Sequence, residues 1–243
     1  MTPVPGKCFA PVKNLLILWD IDGTLTASGG AGWRALSAAI HRVFGAVLSS
    51  DSVDFAGRTD PWIVGCILER IGVEDTPVNR TRLLDAYLEI LPGEVGASGR
   101  VLPGVRERLR EAADRPDVAQ ALLTGNIRRG AEAKLTHHGL WHFFPFGAFA
   151  DDGERRNDLG PVALRRAREH HGVAFAPDRV WIVGDTPHDI ACARAAGIRV
   201  LAVATGSSPV EELRAHGPDA VLADLGDGRA FWESLGHPLH SRA

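Results

Sequence analysis

Carboxylates follow two of the apolar runs in this chain, at the point where each run ends. Asp20 and Asp22 stand directly after the first run, and Asp185 and Asp189 follow a later one. A carboxylate at such a place can act as a nucleophile, as a general acid or base, or as a ligand for a hard cation. These four residues are therefore the first candidates for chemistry.

A third apolar run ends in a hydroxyl, a glycine and an amide. Thr124, Gly125 and Asn126 follow it directly, while Gly23 and Thr24 complete the loop that begins at Asp20. In a parallel sheet, ligands bind outside the carboxyl ends of the strands. Polar side chains and turn-forming glycines after three separate runs therefore indicate a single site at one edge of a sheet.

The elements that must position these residues are short and strongly apolar. Each run has strand length and the near-continuous hydrophobicity of parallel strands covered on both faces. The strands are predicted at Leu15 to Trp19, Ala119 to Leu123, Val180 to Val183 and Ile198 to Val203, with a weaker one at Ala220 to Leu222. The helical patterns lie at Gly104 to Ala113, Ile127 to His138, Leu159 to His171 and His188 to Ala196. This alternation predicts an α/β fold with a doubly wound parallel sheet.

Residues 28–99 break the alternation, and we call them the cap segment. They show three helical patterns and no buried strand, at Trp33 to Phe44, Pro61 to Ile71 and Val78 to Ile90. Glycine-rich stretches at 28–32, 92–93 and 96–99 predict hinges at both ends. The predicted division is an α/β core from 1–27 and 100–243, with a small helical cap domain inserted at 28–99.

The composition of the chain limits which classes of binding partner are expected. The chain has 243 residues, 45% of them hydrophobic, and a formal net charge of −3, which gives no reason to expect nucleic acid or an anionic membrane as a partner. Three distant cysteines suit a reducing compartment, and Met1 to Asn14 has the composition of a loose tail. We expect a soluble cytoplasmic protein, and monomer and homodimer both stay open.

Two motifs carry a family resemblance that extends from about residue 14 to 224. They are Asp-Ile-Asp-Gly-Thr-Leu at 20–25 and Gly-Asp-x-x-x-Asp at 184–189. With them the chain resembles the haloacid dehalogenase superfamily, in particular the phosphoglycolate-phosphatase-like branch with a helical cap of the C1 type. The resemblance implies a Mg²⁺-dependent phosphatase that hydrolyses a small phosphorylated metabolite, such as phosphoglycolate or a sugar phosphate.

The resemblance also implies roles for the carboxylates. Asp20 would attack phosphorus and form an aspartyl-phosphate, and Asp22 would protonate the leaving alcohol and later activate water. Mg²⁺ would be bound by the Asp20 carboxylate, the Asp22 backbone carbonyl and Asp185, with Asp189 completing or orienting the shell. The phosphoryl oxygens of the substrate would be held by Thr124 and Asn126 and by backbone amides near Gly23, Thr24 and Gly125.

The family also places a cation, usually lysine, between the second and third signatures. Residues 151–161 contain no lysine, so the prediction falls on Arg156, with Arg155 as its competitor. Lys134 is set aside because it comes too early in the chain. In the cap segment, Arg58 precedes a predicted helix and could meet a substrate anion, while Asp60 is expected to cap that helix.

Three alternatives remain beside the phosphatase. A phosphomutase would need the same two aspartates and differ in how its cap excludes water. A 2-haloacid dehalogenase would need no metal, and both Asp22 and Asp185 count against it. A non-catalytic module that binds phosphorylated metabolites would usually have lost the nucleophile or a metal ligand, and neither is missing here.

Overall fold

The computed structural model of the protein describes residues 13–238. Cys8 and nearly all of the predicted tail, Met1 to Asn14, lie outside the described residues. The other two cysteines, Cys66 and Cys192, are free thiols. No helix within 13–238 combines the length and the apolar character that crossing a bilayer requires.

Eight strands and nine α-helices make up the described chain. The strands are β1 Leu15–Trp19, β2 Thr26–Ala27, β3 Arg100–Val101, β4 Val118–Leu123, β5 Gly147–Ala148, β6 Val180–Gly184, β7 Arg199–Val203 and β8 Ala220–Leu222. The helices are α1 Ala31–Phe44, α2 Asp60–Arg70, α3 Pro77–Ser98, α4 Val105–Asp114, α5 Arg128–His137, α6 Leu159–His171, α7 Pro187–Ala196, α8 Val210–Ala215 and α9 Gly228–Ser234.

Six strands form one parallel sheet in the order β5-β4-β1-β6-β7-β8. Strand β1 lies in the middle, where Leu16 pairs with Ala119 on one side and with Val180 on the other. This order, with helices as the connections between parallel strands, is that of a doubly wound α/β sheet. The predicted fold class is confirmed.

The central strand is apolar throughout because it is covered on both faces. Leu15, Ile17 and Trp19 belong to one hydrophobic cluster, together with residues of α4, α5 and α9. Leu16 and Leu18 belong to a second cluster on the opposite face, with residues of α6 and α7. Every residue of β1 is inaccessible to solvent. Two-sided burial therefore explains why β1 shows no polar alternation.

The cap segment is helical, as its sequence indicates. Helices α1, α2 and α3 share a third hydrophobic cluster, separate from those around the sheet, that includes Ile40, Ile67 and Leu83. The chain enters and leaves this segment beside the antiparallel pair β2–β3. The segment thus has a core of its own, and the boundaries 28–99 stay a prediction.

The predicted hinge at the end of the cap segment is wrong in position. Helix α3 runs through Pro92 and Gly93 as far as Ser98, and only Gly99 remains as a connector to β3. Leu91 and Val95, one helical turn apart, are both buried in the cap cluster. Their packing holds the helix across a proline that would normally end it, so tertiary contacts outweigh the local signal.

We expect Gly93→Ala to stabilise the protein, because Gly93 lies in α3 and an added methyl group would have open space around it. Replacing glycine by alanine within a helix contributes roughly 0.5–1 kcal/mol. The gain should appear as a higher midpoint of thermal unfolding.

Gly72→Ala is the matched control for that substitution. Gly72 also has open space around it, but its φ is +69°, a conformation that costs an L-residue roughly 1–2 kcal/mol. This variant should melt at a lower temperature. If both variants shifted the midpoint alike, Gly93 would not be helical.

Candidate active site

The loop after β1 presents two aspartates at the carboxyl end of the sheet. The Asp20 amide donates to Val183 O of β6 at 2.9 Å, which continues the sheet by one residue. The chain then turns at Gly23, whose φ is +83°, a conformation that favours glycine. The Gly23 amide donates to Thr26 O at 2.8 Å and closes the turn. Sheet pairing and a glycine turn therefore hold the predicted nucleophile in place.

Three buried carboxylates meet at this edge. Asp20, Asp185 and Asp189 each offer an oxygen atom, and these oxygens all lie within 4.8 Å of one another. Asp185 is held by Thr24, whose hydroxyl donates to Asp185 Oδ1 at 3.0 Å. Clustered carboxylate oxygens are the donor set of a hard divalent cation, so the group can hold a metal ion.

Arg156 supplies the positive charge inside the carboxylate group. Its Nη2 lies 3.0 Å from Asp20 Oδ1 and 2.5 Å from Asp189 Oδ1, and only 6% of its side chain is exposed. The competitor Arg155 is 83% exposed and pairs with Asp158. Of the two predicted candidates, Arg156 is the one beside Asp20, and its role stays a prediction.

Burial dominates the protonation of these carboxyl groups. It raises the pKa of Asp20 to about 6, although Arg156 opposes the shift, and the neighbouring carboxylates Asp189 and Asp22 add to it. Burial, followed by the charge of Asp20, also raises the pKa of Asp185 well above its ordinary value. One arginine does not neutralise three buried carboxylates, so the group has room for a further positive charge.

Helix α7 places the last of these carboxylates. Thr186 is its N-cap, and the Asp189 carboxylate accepts hydrogen bonds from the Thr186 amide at 3.0 Å and hydroxyl at 2.8 Å. Asp185 does not cap this helix, because Thr186 occupies that position. Asp189 is fully buried against Arg156, so its contacts go beyond the helix end.

A second polar group surrounds Asp22, and it contains a lysine that sequence reasoning had excluded. Lys134 Nζ donates to Asp22 Oδ2 at 2.6 Å and to Asn126 Oδ1 at 2.7 Å. The Asn126 amide nitrogen in turn donates to Asp22 Oδ2 at 2.8 Å and to Thr124 Oγ1 at 2.9 Å. The expectation that Lys134 lies too early in the chain to belong to the site was wrong, because α5 places its side chain beside Asp22.

A sequence signal for Lys134 was present. Helix α5 buries Gly130 and Ala131 together with Lys134 and Leu135, which are the residues one turn later. A lysine on the apolar face of a helix needs a buried partner, because an unpaired buried charge is costly. The sequence does not show which residue is that partner, because Asp22 lies 112 residues away along the chain.

The pKa values of the two aspartates in the first loop are shifted in opposite directions by their surroundings. Burial favours the neutral form of Asp22, but the charge and hydrogen bond of Lys134, helped by Asn126, hold its pKa below the ordinary value. Burial opposes the charge on Lys134 too, yet Asp22 raises its pKa. Divergent pKa values in paired carboxyl groups are typical of sites that divide acid–base roles.

The cap segment reaches this site through residues 55–60. The Asp60 amide donates to Gly125 O at 2.7 Å, and the Asp60 carboxylate accepts from the Ile127 amide at 2.8 Å. The N-cap of α2 is Thr59, so the expectation that Asp60 caps this helix is wrong. Asp60 instead connects the cap segment to the loop that carries Thr124 and Asn126.

Arg58 lies in the same loop and lines the cavity beneath the cap segment. Its guanidinium carbon lies 4.3 Å from the centre of the Trp62 ring, and its Nη2 lies 3.7 Å from Asp54. The cavity has a volume of about 390 Å³ and is lined by both parts of the chain, with Asp20 and Asp22 in its wall. Pockets of this size take small-molecule ligands.

Comparisons with known proteins agree with this geometry. A family profile described as HAD-hydrolase-like matches residues 156–228. A probable phosphatase, IndB, of Dickeya dadantii is 28% identical over 85% of this chain and 88% of its own length. A phosphoglycolate phosphatase of Synechococcus elongatus is 27% identical over 87% of this chain and 93% of its own.

These similarities support the predicted membership of the haloacid dehalogenase superfamily. Among its relatives are phosphatases that it matches along most of their length, and the predicted enzyme class, a phosphoric monoester hydrolase, is confirmed at that level. The fold agrees as well. CbbY from Rhodobacter sphaeroides, solved in complex with phosphate, superposes with a TM-score of 0.69 over 88% of this chain and 96% of its own, at 19% identity.

We expect Gly125→Ala to separate residues 55–60 of the cap segment, which we call the cap loop, from the core. A methyl group at Gly125 would overlap the Arg58 carbonyl, so the hydrogen bond from the Asp60 amide to Gly125 O cannot keep its geometry. Hydrogen exchange at the Asp60 amide should accelerate by about tenfold or more, equivalent to roughly 1.4 kcal/mol.

Gly130→Ala, five residues further on, is the matched control. An added methyl group there makes only ordinary van der Waals contacts, at 3.6 Å and beyond, so exchange at Asp60 should stay unchanged. Equal exchange in both variants would contradict a tight approach between Gly125 and the cap loop.

Proposed function

We propose that this protein is a Mg²⁺-dependent phosphatase that hydrolyses a small-molecule phosphate monoester through an aspartyl-phosphate on Asp20. One observation carries the proposal. Asp20 is buried between a cation, Arg156, and two further carboxylates, while its neighbour Asp22 is held by a separate cation, Lys134. A nucleophile and a proton-transfer group thus sit two residues apart with distinct partners.

In the first step, an Asp20 carboxylate oxygen forms a bond to phosphorus as the bond from phosphorus to the ester oxygen breaks. Asp22 gives its proton to that departing oxygen, which leaves as an alcohol. A bound phosphate dianion adds negative charge near Asp22, which raises its pKa and favours the protonated form that this step needs. Water then attacks the phosphorus of the aspartyl-phosphate and gives a proton to Asp22. The bond between the Asp20 oxygen and phosphorus breaks, which releases inorganic phosphate and restores the Asp20 carboxylate.

The residues present fit a magnesium ion. Asp20, Asp185 and Asp189 offer hard oxygen donors within 4.8 Å of one another, and the Asp22 backbone carbonyl is the further ligand that we propose. When bound, Mg²⁺ would offset the repulsion between the Asp20 carboxylate and the phosphate dianion. Thr124, Asn126 and the amides near Gly23, Thr24 and Gly125 are the proposed contacts of the phosphoryl oxygens.

We expect Asp20→Asn to lower kcat for p-nitrophenyl phosphate by a factor of about 10⁴ or more, because the nucleophile is lost. Asp178→Asn, an exposed aspartate ahead of β6 at the opposite edge of the sheet, should keep full activity. Released phosphate is the measurement. Activity that survives in Asp20→Asn, or that persists after thorough chelation of divalent ions, would refute the mechanism.

We expect Mg²⁺ to stabilise the protein more at pH 7.5 than at pH 5. The pKa of Asp20 rises from its ordinary 3.8 to about 6 on folding, and that of Asp185 also rises. A raised carboxyl pKa stabilises the metal-free fold below about pH 4, and this stability is lost as the pH rises through 6. Mg²⁺ binds the deprotonated groups, so its effect on the unfolding temperature should grow over that interval.

Gly206→Ala tests whether Asp185 takes part in that effect. A methyl group at Gly206 would overlap the Asp185 carboxylate and should turn it away from Asp20, which would reduce the shift caused by Mg²⁺ at pH 7.5 by more than half. Gly93→Ala, with open space around it, serves as the control. An undiminished shift in Gly206→Ala would remove Asp185 from the proposed ligands.

A further inference from the structure

The cavity beneath the cap segment has two chemically different ends. The core end carries the charged groups around Asp20 and Asp22. The cap end is lined largely by apolar side chains from α1, α2, α3 and the loop before α2. These are Trp33, Leu36, Phe55, Ile63, Val64 and Leu84. A phosphate ester bound with phosphorus at Asp20 would therefore direct its alcohol part toward an apolar wall.

Two aromatic rings define that wall. The ring centres of Trp33 and Phe55 lie 5.0 Å apart, with a tilt of 50° between the planes, and both side chains are only partly buried. Aromatic rings on a cavity wall favour flat apolar partners through edge-to-face or offset stacking. This pair therefore offers a surface for a ring in the ligand.

Two of the three cations that line the cavity are held by carboxylates of the site. Among the described lining residues the cations are Arg58, Lys134 and Arg156. Lys134 binds Asp22, and Arg156 binds Asp20 and Asp189. Arg58 lies over Trp62 with its Nη2 3.7 Å from the exposed Asp54, and its buried Nε has no hydrogen-bond partner among the described residues. The carboxylate of Asp60 also lines the cavity. Among these three cations, Arg58 is the one left to meet a polar group of the ligand, while the wall beside it stays apolar.

We propose that the substrate is a phosphate monoester whose alcohol part carries an aromatic or other flat apolar ring. This inference rests on the proposed phosphatase function and names the substrate class for the same site. It separates the chain from relatives named phosphoglycolate phosphatase, since phosphoglycolate carries a carboxylate in place of a ring.

The test compares benzyl phosphate with phosphoglycolate, two esters of alkyl alcohols. We expect kcat/KM to favour benzyl phosphate by about 10²-fold or more, as apolar pockets discriminate when several carbon atoms are buried. Trp33→Ala should lower that ratio by about tenfold. Phe44→Ala removes another aromatic ring of α1 that does not line the cavity, and it should leave the ratio unchanged.

A binding measurement keeps this inference separate from the proposed function. Calorimetry on Asp20→Asn should show benzyl phosphate binding about tenfold more tightly than phosphoglycolate. Failure of the wild type to hydrolyse any monoester would overturn the proposed function, and the binding order would still decide the substrate class. Tighter binding of phosphoglycolate would overturn the substrate class alone.

An independent observation concerns Lys134. It is 7% exposed, and its three-donor ammonium group contacts Asp22 Oδ2 and Asn126 Oδ1, while Asn126 contacts the same Asp22 oxygen. Two donors thus converge on Oδ2, whereas Asp22 Oδ1 is buried with no hydrogen-bond partner within residues 13–238. The carboxylate is anchored through one oxygen atom, and the other is left for a ligand.

We propose that Lys134 is a positioning residue that holds Asp22 so that its free Oδ1 faces the leaving oxygen of the substrate. Arg156 contacts Asp20, and Lys134 contacts Asp22, so the two cations serve different carboxylates. The division explains why one chain carries both an arginine and a lysine at this edge of the sheet.

The test uses two esters that differ in how much they need an acid. Benzyl phosphate has a poor leaving group and needs a proton from Asp22, whereas p-nitrophenyl phosphate releases a stabilised anion. Lys134→Met should lower kcat/KM for benzyl phosphate by about 10²-fold or more and for p-nitrophenyl phosphate by less than about tenfold. Lys13→Met, at the other described lysine, should change neither value.

Asn126→Ala provides a second variant in case Lys134→Met does not fold. It removes the other donor to Asp22 Oδ2. Both esters should lose activity through the missing phosphoryl contact, and benzyl phosphate should lose more than p-nitrophenyl phosphate. An equal loss on both esters in the folded variants would mean that Lys134 supports the structure generally, and it would overturn the positioning role.

Discussion

The interaction on which this site depends is the crowding of three buried carboxylates around a single guanidinium. Asp20, Asp185 and Asp189 approach within 4.8 Å of one another, and Arg156 contacts two of them. Buried like charges at this separation are tolerated only with compensation. Burial raises the pKa of Asp20, and the neighbouring Asp189 and Asp22 add to that shift against the opposing charge of Arg156. A divalent cation and a phosphate ester are what such a site is suited to bind together.

The close approaches of the backbone follow from the same crowding. Side chains are excluded at Gly23 and Gly206 because an added methyl group would overlap the Asp185 carboxylate. Gly125 is excluded from bearing a side chain by the Arg58 carbonyl of the cap loop. Glycines at these positions let three loops and the cap segment converge on a small volume. The precision of the site therefore comes from backbone contacts as much as from the charged groups.

The two buried cations of the site contact different carboxylates and lie in different surroundings. Arg156, ahead of α6, belongs with the carboxylates of the core, whereas Lys134 on α5 holds Asp22 and lies next to the cap segment, since α5 packs against α3. The cap segment closes the cavity with an apolar wall that includes Trp33 and Phe55. In the proposed enzyme the core would determine which bond is broken, and the cap would select the alcohol that leaves.

The apolar runs and the polar residues that follow them are sufficient to predict the sheet and its reactive edge, because strands covered on both faces are continuously apolar and the loops that carry a site are polar. The same pattern also placed Asp20, Asp22 and Asp185 in one site, since parallel strands end at the same edge. Two features become apparent only in the folded chain, namely the contact of Lys134 with Asp22 and the continuation of α3 through Pro92 to Ser98. Both depend on burial against distant residues. The partner of Lys134 lies 112 positions away, and the packing that holds α3 across Pro92 involves distant residues. Neither feature can therefore be predicted from a local sequence pattern.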